Sequence, residues 1–459
     1  MWFDDLREPV ERLESDIANG PIVPIVTPQE IRRHLARYDF TQPVALDDLG
    51  ADVERMMRTW HVQVTHPRYF GLFNPSVRMA SVIADTLVAM YNPQLASWRT
   101  SPAANEIERH TLAWLAAKFG FPSDAAASFT SGGTEANLSA VIVALTKAFP
   151  EYGDHGLRSV GAAPTVYVSG DAHHGFLKIA HMTGLGRNAI RMVATDHRHK
   201  MNIGELARRI SEDRDRGLRP FLVVATAGTT GLGVIDPLAE LADFCRTEGL
   251  WLHVDAAWGG AAVLSESLRA HLAGIESADS ITCDAHKWFS VPMGAGMFFC
   301  RHGQAVAEAF RVAASFMPQK TDGSAIDPYT TSLQWSRRFI GLKLFMALAE
   351  QGEAGYAGMI EHQARMGDRM REELRSAGWT IVNDTPLPVI CFTRKGLDVA
   401  EFLTALQNRQ IAWMAPVRLD DGSPVVRACV TSYRTTEDDV RQVVGEMNRL
   451  VRVPVATYA

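Results

Sequence analysis

Between residues 125 and 301 the sequence alternates short apolar runs with amphipathic stretches, and this alternation restricts the possible folds more than any other feature. The apolar runs lie at residues 165–169, 189–195, 221–227, 251–257, 280–283 and 296–300. Strands that alternate with helices are typical of a largely parallel sheet whose two faces are both covered. The sequence therefore predicts an α/β fold.

The segments on either side of this region differ from it in character. Residues 1 to about 65 have the pattern of helices with exposed charge. Beyond Trp335 a long helical pattern is followed by short apolar runs and a final helix. We therefore expect three parts, which are an N-terminal helical arm (1–70), a large domain that holds the sheet (71–335) and a smaller C-terminal α+β domain (336–459).

Within the C-terminal part the sequence predicts strands at 381–383, 389–392 and 425–430. The final helix is expected to begin at a cap formed by Thr435 and Asp438, which are three residues apart. Residues 317–332 are polar and contain Gly and Pro, and so they predict a long loop of the kind that is often functional.

Composition argues against several classes of partner. The chain has 46 basic and 52 acidic residues, a formal charge of −6, and no basic stripe, so we expect neither nucleic acid nor an anionic membrane as a partner. Its five cysteines are scattered and form no Cys-x-x-Cys pair, which is typical of reduced core thiols. No window offers about 18 uninterrupted apolar residues. These features favour a cytoplasmic protein.

Polar or glycine-containing segments stand where predicted strands end, the edge at which parallel α/β sheets bind ligands. The first is Ser131-Gly-Gly-Thr134, which precedes a helical run. Two glycines and the start of a helix suit an anion such as a phosphate, although an ordinary turn capped by Thr134 explains the same residues.

Two further segments carry charge at the ends of apolar runs. Asp255 closes the run at 251–257 and requires a cationic or protonated partner, which could equally be a core arginine. Lys287 lies in Asp-Ala-His-Lys-Trp between two apolar runs. A buried lysine has a lowered pKa and suits a Schiff base, whereas most lysines are solvated surface groups.

A histidine pair follows the run at 165–169. Asp171, His173 and His174 include metal-ligand types, but no further cluster at metal spacing accompanies them, so we predict no metal and expect a stacking or capping histidine. The segment 184–189 matches the dinucleotide fingerprint Gly-x-Gly-x-x-Ala. It lies before a predicted strand rather than after one, and we therefore reject it.

Four segments together resemble the group II pyridoxal-phosphate-dependent amino-acid decarboxylases, which include aromatic amino acid, glutamate and diaminobutyrate decarboxylases. They are Thr-Ser-Gly-Gly-Thr-Glu-Ala-Asn (130–137), Ala-Thr-Ala-Gly-Thr-Thr-Gly (225–231), His-Val-Asp-Ala-Ala-Trp-Gly-Gly (253–260) and Asp-Ala-His-Lys-Trp (284–288). The resemblance extends from about His66 to Tyr433. It implies the fold of the fold-type-I pyridoxal-phosphate enzymes and decarboxylation of an L-amino acid.

The resemblance also implies a role for each matching residue. Lys287 would be the Schiff-base lysine, Asp255 the partner of the pyridine nitrogen and His173 the residue stacked on the ring. The other implied cofactor-binding residues are Gly133, Thr134 and His286 for the phosphate, with Thr226 and Ala257 near the ring.

One position departs from the family pattern. Relatives carry a tyrosine acid in a loop context resembling Ala-Ser-Tyr-Met-Pro, whereas this chain has Phe316 there, and phenylalanine has no proton to give. In related plant enzymes phenylalanine at this place accompanies aldehyde formation with dioxygen, so Phe316 indicates an aldehyde product as an alternative to the amine. Otherwise Tyr329, a water molecule or His173 would supply the proton.

The resemblance also suggests a substrate pocket and an assembly. The pocket would include Leu72, Phe73, Asn74 and Ala96. Ala96 stands where aromatic-specific relatives place a bulkier residue, whereas Phe73 and Trp98 would suit an aromatic or apolar side chain. Relatives are homodimers with the active site at the interface, and we expect the same here. Arg337 and Arg338 would brace the loop or the partner subunit, or form surface ion pairs.

An aminotransferase that uses Arg427 to hold the substrate carboxylate is the nearest rival function, and a non-catalytic protein of the same fold is the other rival.

Overall fold

The computed structural model describes residues 4–312 and 326–452. It divides into two compact units that are discontinuous in sequence. The larger unit contains residues 73–364 and 383–389, and the smaller one contains residues 1–72, 365–382 and 390–459. The helical arm and the C-terminal segments thus belong to one compact unit. The domain boundaries after residues 70 and 335 stay a prediction.

A seven-stranded sheet forms the centre of the larger unit. Its strands are β1 (Ala126–Thr130), β2 (Pro164–Ser169), β3 (Ile190–Val193), β4 (Arg219–Thr226), β5 (Trp251–Asp255), β6 (Ser280–Asp284) and β7 (Gly296–Cys300). Their order is β1-β7-β6-β5-β4-β2-β3, and β7 alone runs antiparallel to its neighbours. The predicted, largely parallel α/β sheet is therefore confirmed.

Helices cover both faces of this sheet. Every residue of β2, β5, β6 and β7 is buried, and successive strand residues point to opposite faces. The helices that begin in this unit are α4 (Met79–Tyr91), α5 (Pro102–Lys118), α6 (Gly133–Ala148), α7 (Tyr152–His155), α8 (Gly175–Met182), α9 (Ile203–Asp215), α10 (Leu238–Glu248), α11 (Glu266–Arg269), α12 (Gly303–Ala309) and α13 (Leu342–Ser376). A break at Gly352, where φ is 63°, interrupts α13.

The predicted strands are correct in place but differ at their ends. The run at 251–257 leaves the sheet after Asp255, because Ala256 and Ala257 turn back so that the Ala257 N–H reaches the Asp255 carboxylate. The rejected dinucleotide fingerprint lies between α8 and β3, with Gly184 and Gly186 at φ values near 80°. It therefore precedes a strand, and its rejection is confirmed.

The smaller unit contains helices at both ends of the chain and a second sheet. Its helices are α1 (Asp4–Asn19), α2 (Pro28–Leu35), α3 (Leu46–Thr59), α14 (Val399–Asn408) and α15 (Glu437–Arg452). Strands β8 (Thr380–Ile381), β9 (Val389–Thr393), β10 (Ala415–Arg418) and β11 (Pro424–Cys429) follow the order β10-β11-β9-β8. The sequence did not predict β10.

Among the described residues no helix combines the length and the apolar character that a bilayer crossing needs.

The predicted cap of the last helix is wrong by one residue. Thr436 and Asp439 form it, with the Asp439 N–H donating to Thr436 Oγ1 over 3.2 Å and the Thr436 N–H donating to Asp439 Oδ2 over 2.9 Å. Thr435 instead donates its hydroxyl to the Pro67 carbonyl over 2.7 Å. Both threonines precede an acidic residue at the same spacing, so the spacing alone did not distinguish them.

Two arginines expected to brace a loop or the partner subunit lie in different environments. Arg338 forms an exposed ion pair with Asp85 over 2.7 Å. Arg337 is buried and donates from Nη1 and Nη2 to the two oxygens of Glu108, over 3.0 and 2.5 Å. Arg338 thus forms the surface pair that was the alternative, whereas Arg337 forms an internal one.

Candidate active site

The carboxyl ends of the parallel strands surround one cavity of about 290 Å³ in the larger unit. The sequence-predicted residues that line it are Phe73, Gly133, Thr134, His173, Thr226, Asp255, Ala257, His286 and Lys287. They come from segments more than 200 residues apart in the chain. The fold thus brings all the residues with implied cofactor roles to a single place, as the edge rule for parallel sheets predicts.

The glycine segment joins β1 to α6 at the cavity. Helix α6 begins at Gly133, and the N–H groups of Gly133 and Thr134 precede the first helical hydrogen bonds, which Glu135 and Ala136 make to the Gly132 carbonyl, so these two N–H groups are available to an anion. A Cβ atom on Gly133 would stand 2.8 Å from Asp284 Oδ2, which only glycine avoids without displacing that carboxylate. Glu135 accepts from Ser131 Oγ over 2.6 Å and from Gln334 Nε2, which fixes the entry to the helix.

Asp255 is the last residue of β5, and its carboxylate is buried. Oδ2 accepts from Asn137 Nδ2 over 2.9 Å, and Oδ1 accepts from the Ala257 N–H over 3.1 Å. Two neutral donors stabilise the ionised carboxylate without neutralising it. Asp255 can therefore hold a cationic group in the cavity, and the core arginine considered as its partner is not among these contacts.

Lys287 follows β6 and forms an ion pair with a buried aspartate. Its Nζ lies 2.9 Å from Asp284 Oδ2 and 5.7 Å from the centroid of the Phe73 ring. Among the described residues Asp284 Oδ1 has no hydrogen-bond partner, although it is buried. His286 Nδ1 accepts from the Ala295 N–H over 3.1 Å, and burial lowers the pKa of this histidine, which favours its neutral form.

His173 follows β2 and lines the cavity with a neutral ring. Burial lowers its pKa, and Nδ1 accepts from the Gly175 N–H over 3.2 Å, so the ring proton is on Nε2. A Cβ atom on Gly175 would stand 2.7 Å from His173 Nδ1, and glycine is therefore needed for this contact. The capping bond fixes the ring orientation, as a residue that stacks on a flat ligand requires.

The unpaired polar atoms at the cavity test whether pyridoxal phosphate fits. Thr226 Oγ1 and Asp284 Oδ1 are both buried, and neither has a hydrogen-bond partner among the described residues. A lysine amine, a carboxylate at a strand end and a helix start beside glycines supply an aldehyde-binding group, a partner for a protonated ring nitrogen and a phosphate site. The donor set thus fits the cofactor, and its polar atoms would satisfy the unpaired groups.

An aromatic wall closes one side of the cavity. The Phe73 ring stacks on Trp258 at a centroid distance of 4.6 Å, and Trp258 stacks on Trp288 at 4.7 Å. Both tryptophans are fully buried. The wall is therefore rigid and apolar next to Lys287.

The other predicted pocket residues lie elsewhere. Asn74 contacts Met293 Sδ over 3.7 Å, and Met293 lines the cavity, although Asn74 is not among the lining residues. Ala96 is buried and is also not among the lining residues, and its carbonyl accepts from the Tyr329 N–H over 3.3 Å. Leu72 belongs to the smaller unit and is exposed. Their roles, including a substrate contact by Ala96, stay predictions.

Three further residues were considered for chemistry, and the structure describes two of them, Tyr329 and Arg427. Phe316 lies outside the described residues. The Tyr329 ring, the alternative acid, stacks on Trp335 at 4.7 Å and does not line the cavity. In the smaller unit, Arg427 is buried and donates from Nη1 to the Gly71 carbonyl over 2.8 Å.

Sequence reasoning missed several residues of the site. Asn137, Asp284, Trp258 and Met293 line the cavity without an assigned role. Asn137 was detectable, because it stands one helical turn after Gly133 on α6, and residues four apart share a face. Met293 gave no signal, since it lies in an irregular loop.

The fold and the site together define a pyridoxal-phosphate-dependent enzyme of fold type I. The model of the pyridoxal-dependent decarboxylase conserved domain matches residues 28–395, and the chain belongs to this family. It is 29% identical to the aromatic-L-amino-acid decarboxylase of Bacillus atrophaeus, over 86% of this chain and 83% of that protein. It is 30% identical to the L-2,4-diaminobutyrate decarboxylase of Rhizobium meliloti (strain 1021), over 88% of this chain and 81% of that protein.

A solved structure gives the same result for the fold. The crystal structure of Catharanthus roseus tryptophan decarboxylase in complex with L-tryptophan has a TM-score of 0.88 and 24% identity, covering 98% of each chain. The family resemblance, the cofactor and the class of reaction are thus confirmed, and the chain is a pyridoxal-phosphate-dependent amino-acid decarboxylase. The family and these relatives favour neither an aminotransferase nor an aldehyde synthase.

Proposed function

We propose that this enzyme removes the α-carboxylate of an L-amino acid with an aromatic or other apolar side chain and releases the amine. The convergence of Lys287, Asp255 and His173 on one cavity carries the proposal. The Phe73 wall supports the substrate class, because an apolar side chain is removed from water against it and the stacked wall itself has little conformational entropy left to lose.

Each residue has a distinct task in this proposal. When bound, pyridoxal 5'-phosphate supplies the electron sink that takes up the charge left as the carboxylate departs. Lys287 holds the cofactor through Nζ, and Asp255 keeps a proton on its ring nitrogen. The first turn of α6, at Gly133 and Thr134, holds the phosphate together with His286.

The chain also positions the substrate and supplies the proton. His173 presents a neutral ring whose orientation is fixed by the Gly175 N–H. The protons on Lys287 Nζ are at the cavity, and one of them can return to Cα in place of a loop tyrosine, whereas the neutral His173 ring orients the bound ligand. Phe73 and Trp258 exclude water from one side of Lys287.

A substrate panel tests the proposal with holoenzyme in air. Carbon dioxide, amine, ammonia and peroxide are followed for aromatic, aliphatic and acidic L-amino acids. We expect carbon dioxide with equal amine from aromatic or aliphatic substrates. Turnover of acidic side chains alone would refute the substrate class, and ammonia with peroxide in place of amine would refute the product.

A pair of variants examines the aromatic wall. Phe73→Ala should lower kcat/KM for aromatic substrates about tenfold or more, since it removes the ring that meets the side chain. Phe73→Leu is the matched control, as it keeps an apolar surface and should lower kcat/KM less. Equal losses for aromatic and short aliphatic substrates would show that Phe73 does not select the side chain.

We further propose that the enzyme is a cytoplasmic homodimer. Apolar side chains are exposed on α3, namely Leu46, Val53 and Met57, which supports a covering copy of the chain. Five buried free cysteines fit a reducing compartment. A monomer by light scattering that still turns over would contradict the dimer, and fractionation of cells tests the location.

A further inference from the structure

A line of buried polar side chains leads from the cavity into the sheet. Trp251, His253 and Asp255 alternate along β5, so their side chains share the face of the strand beneath α6. Ser280, on the neighbouring strand β6, pairs in register with His253, and Asn137 projects from α6. All five side chains are buried.

Hydrogen bonds join these five groups without a gap. The distances are 2.9 Å from Trp251 Nε1 to Ser280 Oγ, 2.9 Å from Ser280 Oγ to His253 Nδ1, 3.0 Å from His253 Nε2 to Asn137 Oδ1 and 2.9 Å from Asn137 Nδ2 to Asp255 Oδ2. His253 Nε2 also lies 3.4 Å from Thr282 Oγ1, a longer contact.

The chemistry of the groups fixes the direction of every bond. The Asp255 carboxylate only accepts, so Asn137 must turn its amide N–H₂ toward it and its oxygen toward His253. His253 therefore carries its proton on Nε2, and its bare Nδ1 accepts from the Ser280 hydroxyl. The Trp251 indole is a donor only, which leaves Ser280 no other arrangement.

A series of hydrogen bonds that all point the same way is stronger than the same bonds made separately. Each donor is polarised toward Asp255, and in a buried site such bonds strengthen one another. Burial lowers the pKa of His253 to about 4, so the ring stays neutral and keeps this tautomer. With Oδ1 held by the Ala257 N–H, the Asp255 carboxylate can rotate only if a hydrogen bond of this series is broken.

We propose that Asn137 and His253 are positioning residues that hold the Asp255 carboxylate in one orientation toward the cofactor, and that Ser280 and Trp251 fix the tautomer of His253 that this requires. This relay of four residues rests on the proposed role of Asp255. It acts through that carboxylate and does not itself touch the cavity except at Asn137.

The relay is tested on the holoenzyme by cofactor affinity, measured from the visible absorbance of bound pyridoxal 5'-phosphate. Asn137→Leu should raise the cofactor Kd between about tenfold and a hundredfold, because it removes a bond to a buried charge. Ser280→Ala should raise the cofactor Kd about threefold to tenfold, since the tautomer of His253 is then no longer fixed although the His253 ring stays in place. The absorbance bands should change in relative height in both variants.

The double variant Asn137→Leu/His253→Phe distinguishes a relay from mere packing. Its cofactor Kd should be no higher than that of Asn137→Leu alone, because both substitutions interrupt the same series of hydrogen bonds. If the two residues acted only through separate packing, their losses of binding free energy would add. Thr146→Val, on the same helix but outside the relay, is the matched control and should leave the Kd within twofold. The melting temperature of each apoprotein is the independent measure of folding.

The outcomes separate the relay from the role of Asp255. If Asp255→Ala abolishes cofactor binding while Asn137→Leu and Ser280→Ala bind within twofold of the wild type, the relay is wrong and the proposed site stands. If Asp255→Ala itself binds like the wild type, the proposed role of Asp255 is wrong, and the relay falls with it. Additive losses in the double variant would also overturn the relay.

Discussion

Replacing Thr226 by valine should move the stability of the apoenzyme and the affinity for the cofactor in opposite directions. Valine has nearly the shape of threonine but lacks the hydroxyl, and Thr226 Oγ1 is buried without a partner among the described residues. Removing such a group relieves a desolvation penalty of roughly 1–3 kcal/mol. The unfolding entropy of about 2.1 cal/mol/K per residue, over 459 residues, is about 1 kcal/mol/K, so the apoenzyme should melt about 1–3 °C higher.

The cofactor-bound enzyme should show the reverse effect. If the Thr226 hydroxyl forms a hydrogen bond to the cofactor, Thr226→Val raises the cofactor Kd about tenfold. The difference in melting temperature between the cofactor-bound enzyme and the apoenzyme then becomes smaller. Calorimetry of both forms and an absorbance titration measure these quantities. Thr165→Val is the control, because Thr165 Oγ1 is already paired with Tyr167 Oη over 3.1 Å and its loss should lower both melting temperatures. A Thr226→Val apoenzyme that melts lower, with an unchanged Kd, would refute the reasoning.

Three further predictions follow from buried contacts. Glu108→Leu should lower the melting temperature by about 3–5 °C, since the paired Arg337 is left buried and unpaired at roughly 3–5 kcal/mol, and adding Arg337→Met should restore most of the loss in a thermal melt. Gly133→Ala should raise the cofactor Kd at least about tenfold in an absorbance titration while the apoenzyme still folds, because its Cβ would meet Asp284 Oδ2 at 2.8 Å. His253 stays neutral when folded, with its pKa lowered to about 4 from 6.5, so unfolding protonates it below about pH 6.5. The wild type should therefore lose up to about 3 kcal/mol between pH 6.5 and 4 in urea titrations, and His253→Gln should lack that loss. A flat wild-type profile, a Glu108→Leu/Arg337→Met protein no better than Glu108→Leu, or a normal cofactor Kd for Gly133→Ala would contradict the respective prediction.

The sequence predicts the strand-end residues well and the supporting residues poorly. Lys287, Asp255 and His173 are detectable because an apolar run that ends in a polar residue marks the edge where parallel strands bind ligands. The antiparallel direction of β7 was not predictable, since an apolar run carries no information on strand direction. The partner of Asp255 was missed for a different reason, which is that Asn137 meets it only through the packing of α6 on the sheet.

The charges at the cavity explain why this site suits a cofactor with opposite charges at its two ends. Among the described residues, three carboxylates line it, those of Glu135, Asp255 and Asp284, against one lysine, while burial favours the neutral forms of His173 and His286. Lys287 pairs with Asp284, and neutral donors hold both Glu135 and Asp255. Asp255 is buried whereas Glu135 is only half-buried, so Asp255 is the carboxylate that most needs a cation. A phosphate, in contrast, finds neutral N–H groups at the start of α6. A ligand with a protonated ring at one end and a phosphate at the other satisfies both requirements, whereas a simple anion satisfies only one.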